Sequence, residues 1–198
     1  MKKKILALMV AMVTVLMTAC GGASYTPGVF TETGFESEFL GLRFTTPDGF
    51  ALATEEELSE MMGMSLDNLE NVSDLQKKYA ELVTIYEMMV TDETGTVNAQ
   101  IILEKTGVSV GTYMDAFTSQ LAESMQGMNV TLDEDSEEVE FAGATYTKLS
   151  ADIESYGIIL TQDYYFRKVG DRMMCLCVTY MEGMEAERDA IMNGFAAY

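Results

Sequence analysis

Ile158–Val169 (IILTQDYYFRKV), Gly170-Asp171 and Arg172–Met181 (RMMCLCVTYM) form the stretch on which the fold turns. Two runs of β-branched, aromatic and sulfur-bearing residues flank a two-residue loop, the connection that hairpins favour. Setting Val169 opposite Arg172 places Arg167 against Met174, Tyr165 against Leu176, Phe166 against Cys175 and Tyr164 against Cys177. Successive side chains point to opposite faces of a strand, so these pairs divide between two faces, and both are apolar. A sheet with one solvated face alternates cleanly between apolar and polar residues. This one does not, so helices are expected on both sides. Arg167 and Arg172 share a face. Cys175 and Cys177 also share one, with Cβ vectors poorly directed for a bridge, which predicts two reduced, buried thiols.

The flanking segments supply the covers. Glu185 to Phe195 reads as a closing helix with Met184, Arg188, Ile191 and Phe195 on one stripe. Arg188 is expected to lay its stem over the sheet edge and keep its charge in water. Upstream, two strands flank Ala142-Gly143-Ala144, the second covering Thr145–Ile153. Tyr113, Phe117, Leu121 and Met125 recur every fourth residue, with Met114 and Ala116 beside them. They mark a helix capped by Ser109 or Thr112 and ended at Gly127. Val83–Thr91 and Val97–Lys105 form another hairpin around Asp92–Gly95. Thr54 and Glu57 make a capping box for a helix carrying Leu58, Met61 and Met62 that stops near Gly63. Ser73 and Gln76 repeat that pattern, with Leu75, Tyr79 and Leu82 as an apolar stripe. Leu40–Thr46 is a strand that ends in the Pro47-Asp48-Gly49 turn. The whole is an α+β domain, an antiparallel β-sheet sandwiched between helices (an α/β/α sandwich).

At the N-terminus Lys2, Lys3 and Lys4 precede an apolar run, Ile5–Met17, followed by Thr18, Ala19 and Cys20. A basic start, a short apolar core and a small residue before the cut make an export signal. The run is too short to span a bilayer core, which takes about 20 apolar residues. Leu16-Met17-Thr18-Ala19-Cys20 resembles a bacterial lipobox, with Met17 where a smaller aliphatic residue is more usual. That resemblance implies cleavage before Cys20 and lipidation of its thiol, with enough acyl chains for stable anchoring. Residues 1–19 are therefore expected to be a lipoprotein signal peptide and 20–37 a flexible tether, in which Val29, Phe30 and Phe35 can dock locally. Residues 38–198 form the domain.

The formal charge is −20, and loss of the three signal lysines takes the mature chain to −23. Such a surface repels nucleic acid. The chain contains no His and no Trp. Ser-His-Asp chemistry, His-ligated zinc and an ordinary His base are thereby excluded. No catalytic residue, cofactor or metal ligand can be nominated.

Phe39-Leu40-Gly41-Leu42-Arg43-Phe44-Thr45-Thr46-Pro47-Asp48-Gly49-Phe50 resembles the opening strand and turn of PsbP-like domains. Tyr164-Tyr165-Phe166-Arg167 and Val169-Gly170-Asp171-Arg172, followed by a terminal helix, are similar to the later part of that family. The resemblance spans roughly Phe39 to Tyr198. Phe50 stands where the family's turn usually has Trp, and its metal-binding histidines have no counterpart here. The family includes the extrinsic photosystem II subunit, a Ran-binding nuclear import factor and bacterial lipoproteins. The resemblance implies an α-β-α sandwich and a non-enzymatic accessory or binding role.

Four constellations could carry more. Asp133 to Glu140 offers many oxygens for calcium, but with Val139 and Phe141 inward, Glu138 and Glu140 point to solvent. Met61, Met62, Met64, Met173, Met174, Cys175 and Cys177 are soft ligands suited to Cu(I), or simply core filler. On their strand Met173, Cys175 and Cys177 share a face from which Met174 turns away. Tyr146, Tyr156, Tyr164 and Tyr165 suit a partner-binding face, or rings packed under a helix with hydroxyls at the rim. Lys148, Arg167, Lys168 and Arg172 can pair with the acidic surface or hold an anion. The expected function is a membrane-anchored extracytoplasmic lipoprotein that binds an envelope or surface protein without catalysis. The alternative is a small-ligand or metal-ion carrier, using calcium or a soft metal.

Overall fold

The computed structural model describes residues 25–63, 82–125, 128–133, 136–155 and 157–198. In chain order the elements are β1 (Val29–Phe30), β2 (Gly34–Ser37), β3 (Leu42–Thr45), β4 (Phe50–Leu52), α1 (Glu55–Met61), β5 (Thr84–Asp92) and β6 (Asn98–Lys105). Then come α2 (Val110–Ser124), β7 (Asn129–Leu132), β8 (Glu137–Phe141), β9 (Ala144–Ser155), β10 (Ile158–Val169), β11 (Arg172–Met181), α3 (Glu185–Gly194) and β12 (Phe195–Ala197). One antiparallel sheet of eight strands runs β4-β5-β6-β11-β10-β9-β7, with β8 also paired to β9. A second sheet of four strands runs β1-β2-β3-β12.

The central hairpin has the expected register: Val169 pairs with Arg172, Phe166 with Cys175 and Tyr164 with Cys177. Gly170 adopts φ +57° at the first loop position, where a two-residue hairpin turn needs glycine. Both faces of β11 are buried. On one face Tyr164, Phe166, Met173, Cys175 and Cys177 pack under α2 through Tyr113, Phe117 and Leu121. Phe117 meets Tyr164 and Phe166 edge-on, at 4.8 and 5.1 Å between centroids. On the other face Tyr165, Met174, Leu176 and Val178 form a core with Ile191 of α3. Helices thus lie on both sides, and the fold is α+β.

The small sheet shares that second face, and the sequence reading did not foresee it. Residues 25–37 were expected within a loose tether. Instead β2 pairs with β3, Phe35 is 1% exposed and Tyr25 is buried. The reason for the difference is length: β1 has two residues and β2 four, too few to show a period. Gly34 is required here, because a Cβ on it would lie 1.8 Å from the Phe44 carbonyl oxygen across the pair. At the other terminus the closing helix stops at Gly194, and Phe195 begins β12 beside Phe44. The two rings sit 4.6 Å apart.

Caps follow the local sequence. Thr54 and Glu57 form the capping box of α1, and Ser109 rather than Thr112 caps α2 through the Thr112 N–H. The Asp92 carboxylate closes the β5–β6 turn by accepting from the Thr96 and Val97 N–H groups at 2.7 and 3.0 Å. The second capping box, at Ser73 and Gln76, lies outside the described residues, as does Gly127.

Because Phe35 is a core side chain, Phe35→Ala is expected to destabilise the protein by about 3–5 kcal/mol. A urea unfolding curve measures this, and an unchanged midpoint would mean that residues 25–37 are a free tether.

Candidate functional site

Most sequence-nominated side chains turn out to hold the fold together. Glu137, Glu138 and Glu140 of the acidic run are exposed on β8, while Val139 and Phe141 are partly buried against the core. No group of three or more possible metal-ligating His, Cys, Asp or Glu residues occurs among the described residues. Met173, Cys175 and Cys177 share one buried face and Met174 lies on the other, as the register requires. Cys175 and Cys177 are free thiols, and burial pushes the Cys177 thiol up to about 12. Met64, Tyr156 and Cys20 lie outside the described residues.

The tyrosines do not make an exposed face. Tyr146, Tyr164 and Tyr165 are buried. Tyr164 packs under α2, yet its hydroxyl is not at a rim: it donates to Gln162 Oε1 at 2.5 Å inside the core.

The basic residues are engaged as well. Lys148 reaches Glu137 and Asp163 at 3.4 and 3.7 Å. Lys168 Nζ donates to the Thr106 and Val108 carbonyls at 2.6 and 2.8 Å. Arg188 does not keep its charge in water. Its guanidinium lies 5.0 Å from the Tyr180 ring centroid and 3.3 Å from the buried Asp163 carboxylate, with Asp189 on its outer side. An inward-facing carboxylate on the sheet wins the cation, since a buried charge without a partner is costly.

Arg167 and Arg172 share the face foreseen for them, and both pin the N-terminal layer. Arg167 donates to the Leu40 carbonyl and its guanidinium lies 5.0 Å from the Tyr146 ring centroid. Arg172, 1% exposed, lies 4.8 Å from the Tyr25 ring centroid and donates to the Leu82 carbonyl at 3.1 Å. The third pin is Glu87, which sequence reasoning missed. The β5–β6 register shifts between Tyr86 and Met88, so Glu87 is unpaired in the ladder. Such a bulge re-aims a side chain. The Glu87 carboxylate accepts from the Tyr25 hydroxyl and, at 2.7 Å, from the Gly28 N–H.

Among the described residues, Glu87 and Glu104 are the two strongly perturbed carboxyls. Burial raises Glu87 to about 7, against the opposing pull of Tyr25, Gly28 and Arg172. Burial likewise raises Glu104 to about 7, against its bond from the Tyr113 hydroxyl at 2.8 Å. Glu104 Oε1 has no hydrogen-bond partner among the described residues. The two carboxyls belong to opposite layers, one beside Tyr25 and one beneath α2, so they do not form a catalytic pair.

The candidate site is a cleft of about 660 Å³. Its walls are the β1–β2 turn, Phe30–Gly34, and the segment Thr46–Glu55, which carries the Pro47-Asp48-Gly49-Phe50 turn. Here the chain leaves the small sheet at β3 and joins the edge of the large sheet at β4. The cleft therefore opens where two sheets diverge, between β1 and β4, each the terminal strand of its sheet. Phe30, Phe50 and Leu52 give it apolar surface, and Glu32, Asp48 and Glu55 stand exposed around it. The Pro-Asp-Gly-Phe turn is visible in the sequence, but its position opposite β1 is not.

The chain shares its fold with cyanobacterial PsbP (CyanoP) from Synechocystis sp. PCC 6803: the TM-score is 0.51 at 11% identity, covering 92% of this chain and 99% of the other. It has a PsbP-like fold. A protein of Bacteroides thetaiotaomicron aligns at TM-score 0.44 and 13% identity over 84% of this chain and 48% of its own length. LpqN of Mycobacterium tuberculosis, described as involved in cell envelope biogenesis, aligns at TM-score 0.42 and 10% identity, over 78% of this chain and 82% of LpqN. No protein-family model and no curated protein matches the chain.

The raised carboxyls set a pH dependence. Their folded pKa values, about 7, lie above the ordinary 4.5. The folded state therefore holds more protons than the unfolded chain between these values. Stability should fall as pH rises through that window, by on the order of 2–3 kcal/mol per carboxyl. Glu104→Gln is expected to remove about half of this slope, Glu87 keeping the rest. Urea midpoints taken from about pH 4.5 to about pH 8 test it, and an unchanged slope in the variant would contradict it.

Proposed function

We propose that the chain is a membrane-anchored extracytoplasmic lipoprotein, held by lipid on Cys20, whose folded part is a non-enzymatic accessory domain that binds a protein of the envelope. The observation that carries the binding role is the cleft between two terminal strands. An unpaired strand edge presents backbone donors and acceptors that another chain can use. The PsbP-like fold supports an accessory role. None of the described helices is long and apolar enough to cross a membrane; the proposed attachment rests on the lipobox-like Leu16–Cys20 segment.

The anchor and the domain are close in sequence. Four residues, 21–24, separate Cys20 from the buried Tyr25. The five Cα–Cα steps from Cys20 to Tyr25 reach at most about 18 Å, so the Tyr25 side of the domain stays near the membrane surface. A carrier of small ligands requires polar groups converging inside a pocket. Here Thr31, Glu32, Thr33, Asp48, Thr54 and Glu55 are exposed, which favours a macromolecular partner.

In cells fed labelled palmitate, the wild-type protein is expected to carry label and sediment with membranes, and Cys20→Ala to lose both. Label on the variant, or unchanged sedimentation, would refute the anchor. Crosslinking in native membranes, followed by purification, is expected to recover a discrete protein partner, and recovery of none would refute the accessory role.

A further inference from the structure

We propose that the cleft takes an extended, basic segment of the partner as an added strand on β4; this deepens the accessory-binding reading and rests on it. Among the described residues, strand β4 pairs with β5 alone. The Ala53 N–H donates to the Met89 carbonyl at 2.8 Å, so Ala53 and Ala51 face β5. Backbone groups of an antiparallel strand alternate in direction. The Leu52 N–H and C=O therefore face away from β5, on the open side of the strand, where Leu52 lines the cleft.

Both ends of this edge are closed locally. The Phe50 N–H is taken by the Pro47 carbonyl at 3.2 Å, and the Thr54 N–H by Glu57 Oε2 at 2.8 Å. What remains open is a short ladder centred on Leu52, with the Phe50 carbonyl beside it. An extended peptide that pairs here gains register from the backbone and selectivity from alternate side chains. Phe30, Phe50 and Leu52 offer apolar contact for one set of those side chains.

Charge selects the other set. No Lys or Arg lines the cleft, whereas Glu32, Asp48 and Glu55 do. All three carboxylates are exposed, and among the described residues none is in an ion pair. The partner segment is accordingly one in which basic and apolar residues alternate. An acidic segment would meet repulsion from all three.

The test uses the full-length protein in detergent and a fluorescein-labelled peptide of about nine residues alternating lysine and valine, with a glutamate–valine peptide as control. Fluorescence anisotropy is expected to show saturable binding of the basic peptide only, weakening as salt rises. Glu32→Gln, Asp48→Asn and Glu55→Gln combined should weaken it about tenfold, the sum of three exposed pairs. Leu52→Pro removes the outward N–H and should abolish binding. If Leu52→Pro lowers the folded fraction, the triple variant, confined to exposed residues, decides the matter. Equal binding of both peptides, absence of binding, or binding unaffected by the triple variant would overturn the proposal. So would self-association of the protein that Leu52→Pro abolishes, since a second copy would then own the edge. Capture of the same native partner by wild type and Leu52→Pro would leave the accessory reading standing and sink only this strand-addition site.

Discussion

Two apolar faces on one hairpin must both be kept from water, and the architecture follows from that requirement. Strands β10 and β11 carry aromatic, sulfur and branched side chains on either side, and β11 is buried nearly from end to end. One layer cannot cover both faces. Helix α2 closes one with a stripe of Tyr113, Phe117 and Leu121. The other is closed jointly by α3 and the small sheet, whose Phe35, Leu42 and Phe44 join the same core. Apolar burial is non-directional, so it selects for coverage rather than for a particular covering element.

Direction comes from a few buried polar groups. Arg167 on Leu40, Arg172 on Tyr25 and Glu87 on Tyr25 and Gly28 fasten the N-terminal layer at defined points. Asp163 fastens α3 through Arg188. Each removes a charge from water, and each charge is given a partner, the condition under which burial is tolerated. These contacts occupy Arg167, Arg172 and Arg188, which otherwise could have met an anion or an acidic partner. The candidate cleft presents the opposite kind of surface, a strand edge surrounded by carboxylates.

The absence of His removes the commonest acid–base chemistry, and the two carboxyls with raised pKa values sit in separate layers. The PsbP-like fold, shared with CyanoP at 11% identity, is a scaffold, and function lies in sites placed on it. In this chain the candidate site arises where the small sheet departs from the large one.

The sequence by itself determined the central register, because a two-residue loop and the period of two leave Val169 no partner but Arg172. It also determined the capping of α1, the α2 stripe, the buried thiols and the two-sided burial, all of which depend on residues close in the chain, and it narrowed the α2 cap to Ser109 or Thr112. Only the tertiary structure decided that Tyr25 and Phe35 belong to the core, that Phe195 starts a strand, and that Arg188 turns inward to Asp163. It alone placed the Pro47–Phe50 turn across from β1 and re-aimed Glu87 through a bulge. Most of those outcomes join residues far apart in the chain, and strands of two to four residues carry no period from which such pairings could be read.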